Sequence, residues 1–141
     1  MNYLSLIKRY KSVVAQGYTF LPVNEIKNLQ NDDYFISRKY DGQLWYYKKE
    51  KDYSKIINVN ERDISKALPA LLNDLDNKTK QHKNLILAGE LYFSTNDRER
   101  NGDVSSSIND VSRSKNLKLG VFDVVFSEKL NPEFSKRTPV L

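Results

Sequence analysis

Charged residues interrupt three apolar stretches of the sequence. Lys39 and Asp41 stand in "RKYDGQLWYY" (38–47), Glu90 in "NLILAGELYF" (84–93), and Asp123 in "LKLGVFDVVF" (117–126). A charge within a buried strand is costly unless it is paired with an opposite charge or bound to a ligand. Interruptions of this kind in several strands of one predicted sheet indicate a shared ligand-binding site.

The spacing around Lys39 suggests a reactive amine. If the segment is extended, Lys39 and Asp41 share one face of the strand, while Arg38 and Tyr40 point to the other. The carboxylate can then orient the lysine, and Gly42 lets backbone or a ligand come close. An apolar strand would leave the ammonium poorly solvated, which favours the neutral, nucleophilic form of a lysine.

Each interruption also has a purely structural explanation. Lys39 and Asp41 could be an ion pair at a strand end, Glu90 could lie on an exposed edge, and Asp123 could cap a turn. Other catalytic chemistry finds little support. His82, the only histidine, lies in the polar run "NKTKQHKN", and there is no cysteine. The sequence shows no serine-nucleophile elbow and no P-loop glycine pattern.

Hydrophobic periodicity predicts the elements that position these residues. An amphipathic helix over 1–16 is predicted from apolar residues at helical spacing, with Gly17 as its C-terminal cap. A second helix begins near Ser65, since Pro69 is tolerated only in a first turn, and a short helix is predicted around 103–112. Strands are predicted at 32–40, 43–49, 55–60, 84–93 and 117–126. This order predicts an α+β fold in which antiparallel sheets are flanked by helices.

Composition limits the class of protein. A chain of 141 residues is expected to form one domain. The net charge of +5 and the pI of about 9.3 favour a polyanionic partner. The N-terminal segment carries lysines and an arginine within its apolar pattern, which is not typical of a signal peptide or a membrane span. We therefore expect a cytoplasmic protein with no membrane partner.

Three motifs in order carry a resemblance to a known family. "KYDGQ" (39–43), "AGELYF" (88–93) and "VFDVVF" (121–126) resemble motifs I, III and IIIa of the covalent nucleotidyltransferases. That superfamily contains ATP-dependent DNA ligases, RNA ligases and mRNA capping enzymes, and "KYDG" followed by Gln is most similar to the DNA ligases. The resemblance runs from about Phe20 to Phe126. It implies the first part of the ATP-grasp-like adenylation domain of a ligase.

The resemblance also implies roles for individual residues. Lys39 would attack the α-phosphorus of ATP and form a lysyl-AMP intermediate, and Asp41 would orient Lys39 or engage a metal ion. Glu90 would contact the AMP ribose or Mg²⁺, a cation that prefers oxygen ligands, and Phe122 would stack on adenine. The AMP would then pass to a 5′-phosphate at a break in DNA, as in repair and recombination. The implied partners are ATP, Mg²⁺ and nicked DNA.

Departures from the family pattern keep alternatives open. The chain has Ser37 and Leu44 where DNA ligases usually carry a glutamate and an arginine, so an RNA ligase-like protein or a catalytically incomplete relative is also possible. No segment after residue 126 resembles motifs IV and V. We therefore expect a single partial adenylation domain over 1–141, with a polar tail at 127–141. Its incomplete sheet edge would favour self-association.

Overall fold

The computed structural model describes residues 2–17, 21–29, 39–94 and 101–129. Within these ranges the chain forms four strands, several helices and one 3₁₀ turn. The helices are α1 (Tyr3–Gly17), α2 (Val23–Ile26), α3 (Pro69–Lys78), α4 (Asn101–Ser107) and α5 (Val111–Ser114), and the 3₁₀ turn is Ser65–Ala67. The strands are β1 (Gln43–Glu50), β2 (Tyr53–Ile57), β3 (Asn84–Phe93) and β4 (Leu117–Ser127).

The strands form one sheet in the order β2-β1-β3-β4, and every neighbouring pair is antiparallel. The predicted α+β class with antiparallel strands and flanking helices is therefore confirmed. Strands β1 and β3 are the inner pair. Both carry long apolar and aromatic runs, as expected of strands that are covered on two faces.

Alternation along β1 and β3 divides the core into two layers. Trp45, Tyr47 and Leu91 lie on the face covered by α3 and α4, which we call the α3 face. Tyr46 and Ala88 lie on the opposite face, which α1 covers and which we call the α1 face. The α1 contribution to this second layer includes Ile7 and Tyr10, both buried. On this face, the alternate side chains of the strands therefore pack against the apolar side of helix α1.

Several predicted boundaries needed correction, each for a local reason. The strand expected at 55–60 ends at Ile57, because the Asn58 side chain accepts hydrogen bonds from the backbone N–H groups of Asn60 and Arg62 and closes a turn. The helix expected at 103–112 is two helices, because the Asp110 carboxylate caps a new helix start. The predicted strands at 84–93 and 117–126 are confirmed, whereas 32–38 lies outside the described residues.

Over the residues that the structure covers, no helix is both long and apolar enough to cross a bilayer.

Two adjacent tyrosines of β1 place their hydroxyl groups on opposite faces of the sheet and differ in hydrogen bonding. On the α3 face, the Tyr47 hydroxyl donates to Asp76 Oδ1 at 2.6 Å and lies 2.9 Å from Thr79 Oγ1. On the α1 face, the Tyr46 hydroxyl is buried and has no hydrogen-bond partner among the described residues. Burial raises the pKa of both phenols. Only Tyr47 gains a hydrogen bond in return for its desolvation.

This contrast gives a paired prediction. Tyr47→Phe removes a hydrogen bond to a carboxylate and should lower the free energy of unfolding by about 1.5 kcal/mol. Tyr46→Phe removes a buried hydroxyl that is already unpaired, so the free energy of unfolding should stay the same or rise. Urea denaturation of both variants measures the difference. A larger loss for Tyr46→Phe than for Tyr47→Phe would contradict the packing described for these two faces.

Candidate functional site

Residues Lys39–Gly42 lie just before β1 rather than within a strand. Residues 39 and 40 have no regular structure, residues 41 and 42 form a bend, and β1 begins at Gln43. Lys39 and Asp41 are both exposed. The prediction that Lys39 is poorly solvated within a strand is therefore wrong. The argument that strand alternation places Lys39 and Asp41 on one face fails with it, because the extended ladder starts only at Gln43.

Gly42 fixes this segment against the middle of β3. A Cβ atom at this position would stand 2.2 Å from the carbonyl oxygen of Leu91 and 3.0 Å from Cγ of Glu90. No side chain fits at such a distance, so the close approach of the two backbones requires glycine. The expectation that Gly42 allows a close approach holds for the backbone of Leu91. The segment that carries Lys39 and Asp41 is thereby held beside Glu90.

Glu90 lies on an inner strand, not on an exposed edge. Its register partners are Leu44 on β1 and Gly120 on β4, and its side chain is half-buried. Burial raises the pKa of the Glu90 carboxyl; a hydrogen bond from the backbone N–H of Gly42 and the charge of Lys39 lower it, and the charge of Asp41 raises it. The structure therefore places the charges of Lys39 and Asp41 close enough to act on the Glu90 carboxyl.

An aromatic pair that sequence reasoning missed also holds this segment against β3 and β4. The ring of Tyr40 stacks on the ring of Tyr92, with centroids 4.0 Å apart and planes 12° apart. A Cβ atom on Gly120 would stand 2.7 Å from Cε2 and 2.9 Å from Cδ2 of Tyr40. Gly120 thus provides the space for the Tyr40 ring. A glycine inside an apolar strand was the available signal, since it often marks such a close approach.

Phe122 and Asp123 lie where the β3–β4 ladder is irregular. Asp123 pairs with Ala88 and Val121 pairs with Gly89, so Phe122 is the extra residue of a register shift. Phe122 is 40% exposed, so part of its ring surface is open to a ligand. Asp123 lies within β4 rather than in a turn, and its Oδ1 accepts the N–H of Val124 at 2.7 Å.

Gln43, the residue that follows the bend, connects the site to α4. Its side-chain amide donates to Asn101 Oδ1 at 2.9 Å and to Ser105 Oγ at 2.7 Å. Its Oε1 accepts the indole N–H of Trp45 at 3.4 Å. The start of β1 is therefore tied to α4 by side chains as well as to β3 by backbone.

The residues present fit a magnesium ion that is shared with phosphate groups. Among the residues described, no group of three or more carboxylate, histidine or cysteine side chains is assembled as a metal cage. Glu90 and Asp41 supply two carboxylates that interact electrostatically. Magnesium is typically held by one or two carboxylates together with substrate phosphates, and two carboxylates are the number that this part of the chain offers.

Comparison with known families agrees with the motifs. A family model described as an ATP dependent DNA ligase domain matches residues 14–141. No curated protein matches the chain.

The space above Gly120 gives the second prediction. Gly120→Ala puts a methyl group where the Tyr40 ring lies and must displace that ring, so we expect the free energy of unfolding to fall by about 1 to 3 kcal/mol. Gly102→Ala is the matched control, because a Cβ on Gly102 meets nothing within 4 Å and lies in a helix, where alanine is favoured by roughly 0.5 to 1 kcal/mol. Denaturant titration compares them. Equal effects of the two substitutions would contradict the packing of Tyr40 on Gly120.

The shifted pKa of Glu90 gives the third prediction. Because the folded-state pKa lies above the unfolded value, ionisation of Glu90 destabilises the fold as pH rises through that range. Glu90→Gln removes the charge but keeps an acceptor for Gly42. We expect it to raise the melting temperature at neutral pH. The corresponding gain in the free energy of unfolding should be only roughly a few tenths of a kcal/mol, because solvent screens a carboxyl that is half exposed. The gain should vanish below the usual glutamate pKa, about 4.3.

Glu128→Gln serves as the control of opposite sign. The backbone N–H of Lys83 donates to Glu128 Oε1 at 2.8 Å, and this contact lowers the pKa of Glu128. Its charged form therefore stabilises the fold at neutral pH, and the substitution should lower the melting temperature there. If Glu90→Gln is less stable than the wild type at every pH, the conclusion that the charged form of Glu90 destabilises the fold is contradicted.

Proposed function

The chain belongs to the ATP-dependent DNA ligase domain family, and on that premise we propose that it is a partial adenylation domain that carries AMP on Lys39. The observation that best supports this proposal is the close approach of the Lys39–Gly42 segment to Glu90, since a Cβ on Gly42 would stand 3.0 Å from Cγ of Glu90 and the charges of Lys39 and Asp41 act on the pKa of the Glu90 carboxyl. Lys39 and Asp41 are each about fifty positions from Glu90 in the sequence. The β1–β3 register nevertheless pairs the start of β1, which directly follows the segment that resembles motif I, with the part of β3 that resembles motif III.

The proposed step forms one bond and breaks one bond. After Lys39 gives up a proton to solvent, its Nζ attacks the α-phosphorus of ATP, an N–P bond forms, and the P–O bond to the β-phosphate breaks. Pyrophosphate leaves with the bonding electrons, and the nitrogen loses its remaining excess proton. An exposed Lys39 is reachable by a nucleotide, and its placement beside Glu90 restricts where the attack occurs. Holding the reacting groups in this way replaces a costly bimolecular encounter.

The neighbouring residues would bind and orient the nucleotide. Glu90 is proposed to contact the ribose, and Glu90 with Asp41 would hold Mg²⁺, which neutralises charge on the phosphates when bound. Phe122 is proposed to stack on the adenine ring. An aromatic side chain that is 40% exposed can bury its remaining surface against a base.

The acceptor of the AMP is proposed to be a 5′-phosphate at a break in DNA, with the family as the reason to prefer DNA over RNA. The RNA ligase-like alternative rests on Leu44, which pairs with Glu90 and packs on the α1 face, where DNA ligases usually carry arginine. The catalytically incomplete alternative predicts nucleotide binding without a covalent product. The single-domain organisation, a role in repair and the cytoplasmic location stay predictions.

Covalent labelling tests the proposal. After incubation with ATP and magnesium, the wild-type chain should gain the mass of one AMP. Lys39→Ala and Lys39→Arg should gain none, because arginine keeps the charge but is not deprotonated at neutral pH and cannot act as the nucleophile. Lys66→Ala, which removes an exposed lysine from the α3 side, should label like the wild type.

Three other results would change the conclusion. An adduct that persists in Lys39→Arg would assign the nucleophile to another residue. Saturable ATP binding without any adduct would favour the catalytically incomplete relative. If the chain neither binds ATP nor becomes labelled, the proposed function is contradicted.

A further inference from the structure

Helix α1 carries an unbalanced positive charge. Lys8, Arg9 and Lys11 lie within it, and no acidic residue occurs in the sequence before Glu25. All three basic side chains are exposed. None of them is in an ion pair with another residue described in the structure; the ion pairs found there join Lys48, Lys55, Lys78 and Arg113 to acidic partners. The charge of α1 is therefore available to an external anion.

The three cations border a strip of small and uncharged side chains. With 3.6 residues per turn, Ile7 and Tyr10 point into the α1 face of the sheet. The exposed side of the helix opposite them is occupied by Ser5, Ser12, Ala15 and Gln16, with the basic residues on and beside it and the exposed Val13 at its border. Short side chains between cations let an extended polyanion approach the helix surface. Larger or acidic side chains there would hold it away.

The contacts of α1 show that it runs toward the candidate site. Near its start, the Tyr3 ring meets Phe126, the register partner of Ile86, with centroids 5.7 Å apart. Further along, the Tyr10 ring meets Tyr46, the register partner of Ala88, with centroids 6.2 Å apart. The helix thus advances from the position of Ile86 toward that of Glu90, which lies two residues, about 7 Å, beyond Ala88.

We propose that the exposed face of α1 binds the phosphate backbone of duplex DNA next to the strand break. This inference rests on the proposed function, because it places the duplex beside the residues that would transfer AMP. The opposite side of the sheet is a poorer platform. There the exposed Lys78 is already paired with Asp74 at 2.8 Å, and α3 also carries Asp76. A row of phosphates matches the unpaired cations of α1, each contact releasing condensed counterions.

A charge-matched pair of variants tests the surface. The first is Lys8→Ala, Arg9→Ala and Lys11→Ala together; the second is Lys66→Ala, Lys78→Ala and Lys80→Ala, three exposed lysines on the α3 side. Both remove three positive charges, so a difference between them reports position rather than net charge. The α1 variant should fold, because its side chains are exposed and alanine favours helix. Circular dichroism melting checks this.

The readout is binding of a labelled nicked duplex at several salt concentrations, with lysyl-AMP formation measured separately. We expect the α1 variant to bind at least about tenfold more weakly at low salt. The slope of log K against log salt should fall by about 0.9 for each lost phosphate contact. The α3-side variant should bind nearly as the wild type does. Lysyl-AMP formation should be unchanged in both, because neither changes a residue of the proposed adenylation site.

The outcomes separate this inference from the proposed function. If wild-type protein forms lysyl-AMP but both variants bind the duplex equally, the α1 surface is wrong and the function stands. If the wild-type protein forms no lysyl-AMP, and DNA binding is lost in the α1 variant but not in the α3-side variant, the surface stands and the function fails. Equal loss in both variants would indicate a net-charge effect and would overturn the surface. Absence of any duplex binding by the wild type would overturn it as well.

Discussion

The candidate site depends on the pairing of β1 with β3 at the point where Gly42 meets Leu91. A Cβ at residue 42 would collide with the Leu91 carbonyl oxygen, so this contact exists only because the residue is glycine. It places the bend that carries Lys39 and Asp41 against Glu90. Because β1 and β3 are the inner strands, the site rests on the part of the sheet with the most pairing on both sides. A rigid base of this kind favours a fixed geometry of reacting groups.

The same arrangement makes the charged form of Glu90 unfavourable. The carboxyl is half-buried, a second carboxylate lies nearby at Asp41, and both effects raise its pKa. The backbone N–H of Gly42 and the charge of Lys39 compensate only in part, since the net shift stays upward. A cationic ligand between the two carboxylates would relieve this repulsion. Glu90 therefore contributes less to stability than a neutral residue would, which is typical of residues kept for binding or catalysis.

How much the sequence could predict depended on whether the signal was local. Strands β3 and β4 followed from long, mainly apolar runs, and α1 followed from its helical spacing. The exposure of Lys39 did not, because period-two alternation assumes an extended strand, and β1 begins only after the bend at residues 41 and 42. The break between α4 and α5 had a readable signal in Asp110, which accepts hydrogen bonds from two N–H groups of the next turn.

Other features could not be read from sequence because they join distant segments. The stack of Tyr40 on Tyr92 above Gly120 requires the β3–β4 register, and nothing local to any of the three residues fixes that register. The same holds for Gln43, which served as a mark of the DNA ligases in the sequence and also holds α4 through Asn101 and Ser105. The site charges themselves were found because charge in an apolar run is a local anomaly.

The irregular ladder of β4 explains why an outer strand can expose apolar residues next to the site. Within the described residues β4 pairs only with β3, and its register shifts twice along that pairing. Bulges twist an edge and interrupt the row of free backbone groups that another strand would need, and the exposed Lys118 adds a charge to the regular part. These features disfavour strand addition at β4. The exposed ring of Phe122, which lies at one of the shifts, is thus better suited to contact a flat ligand than a second sheet.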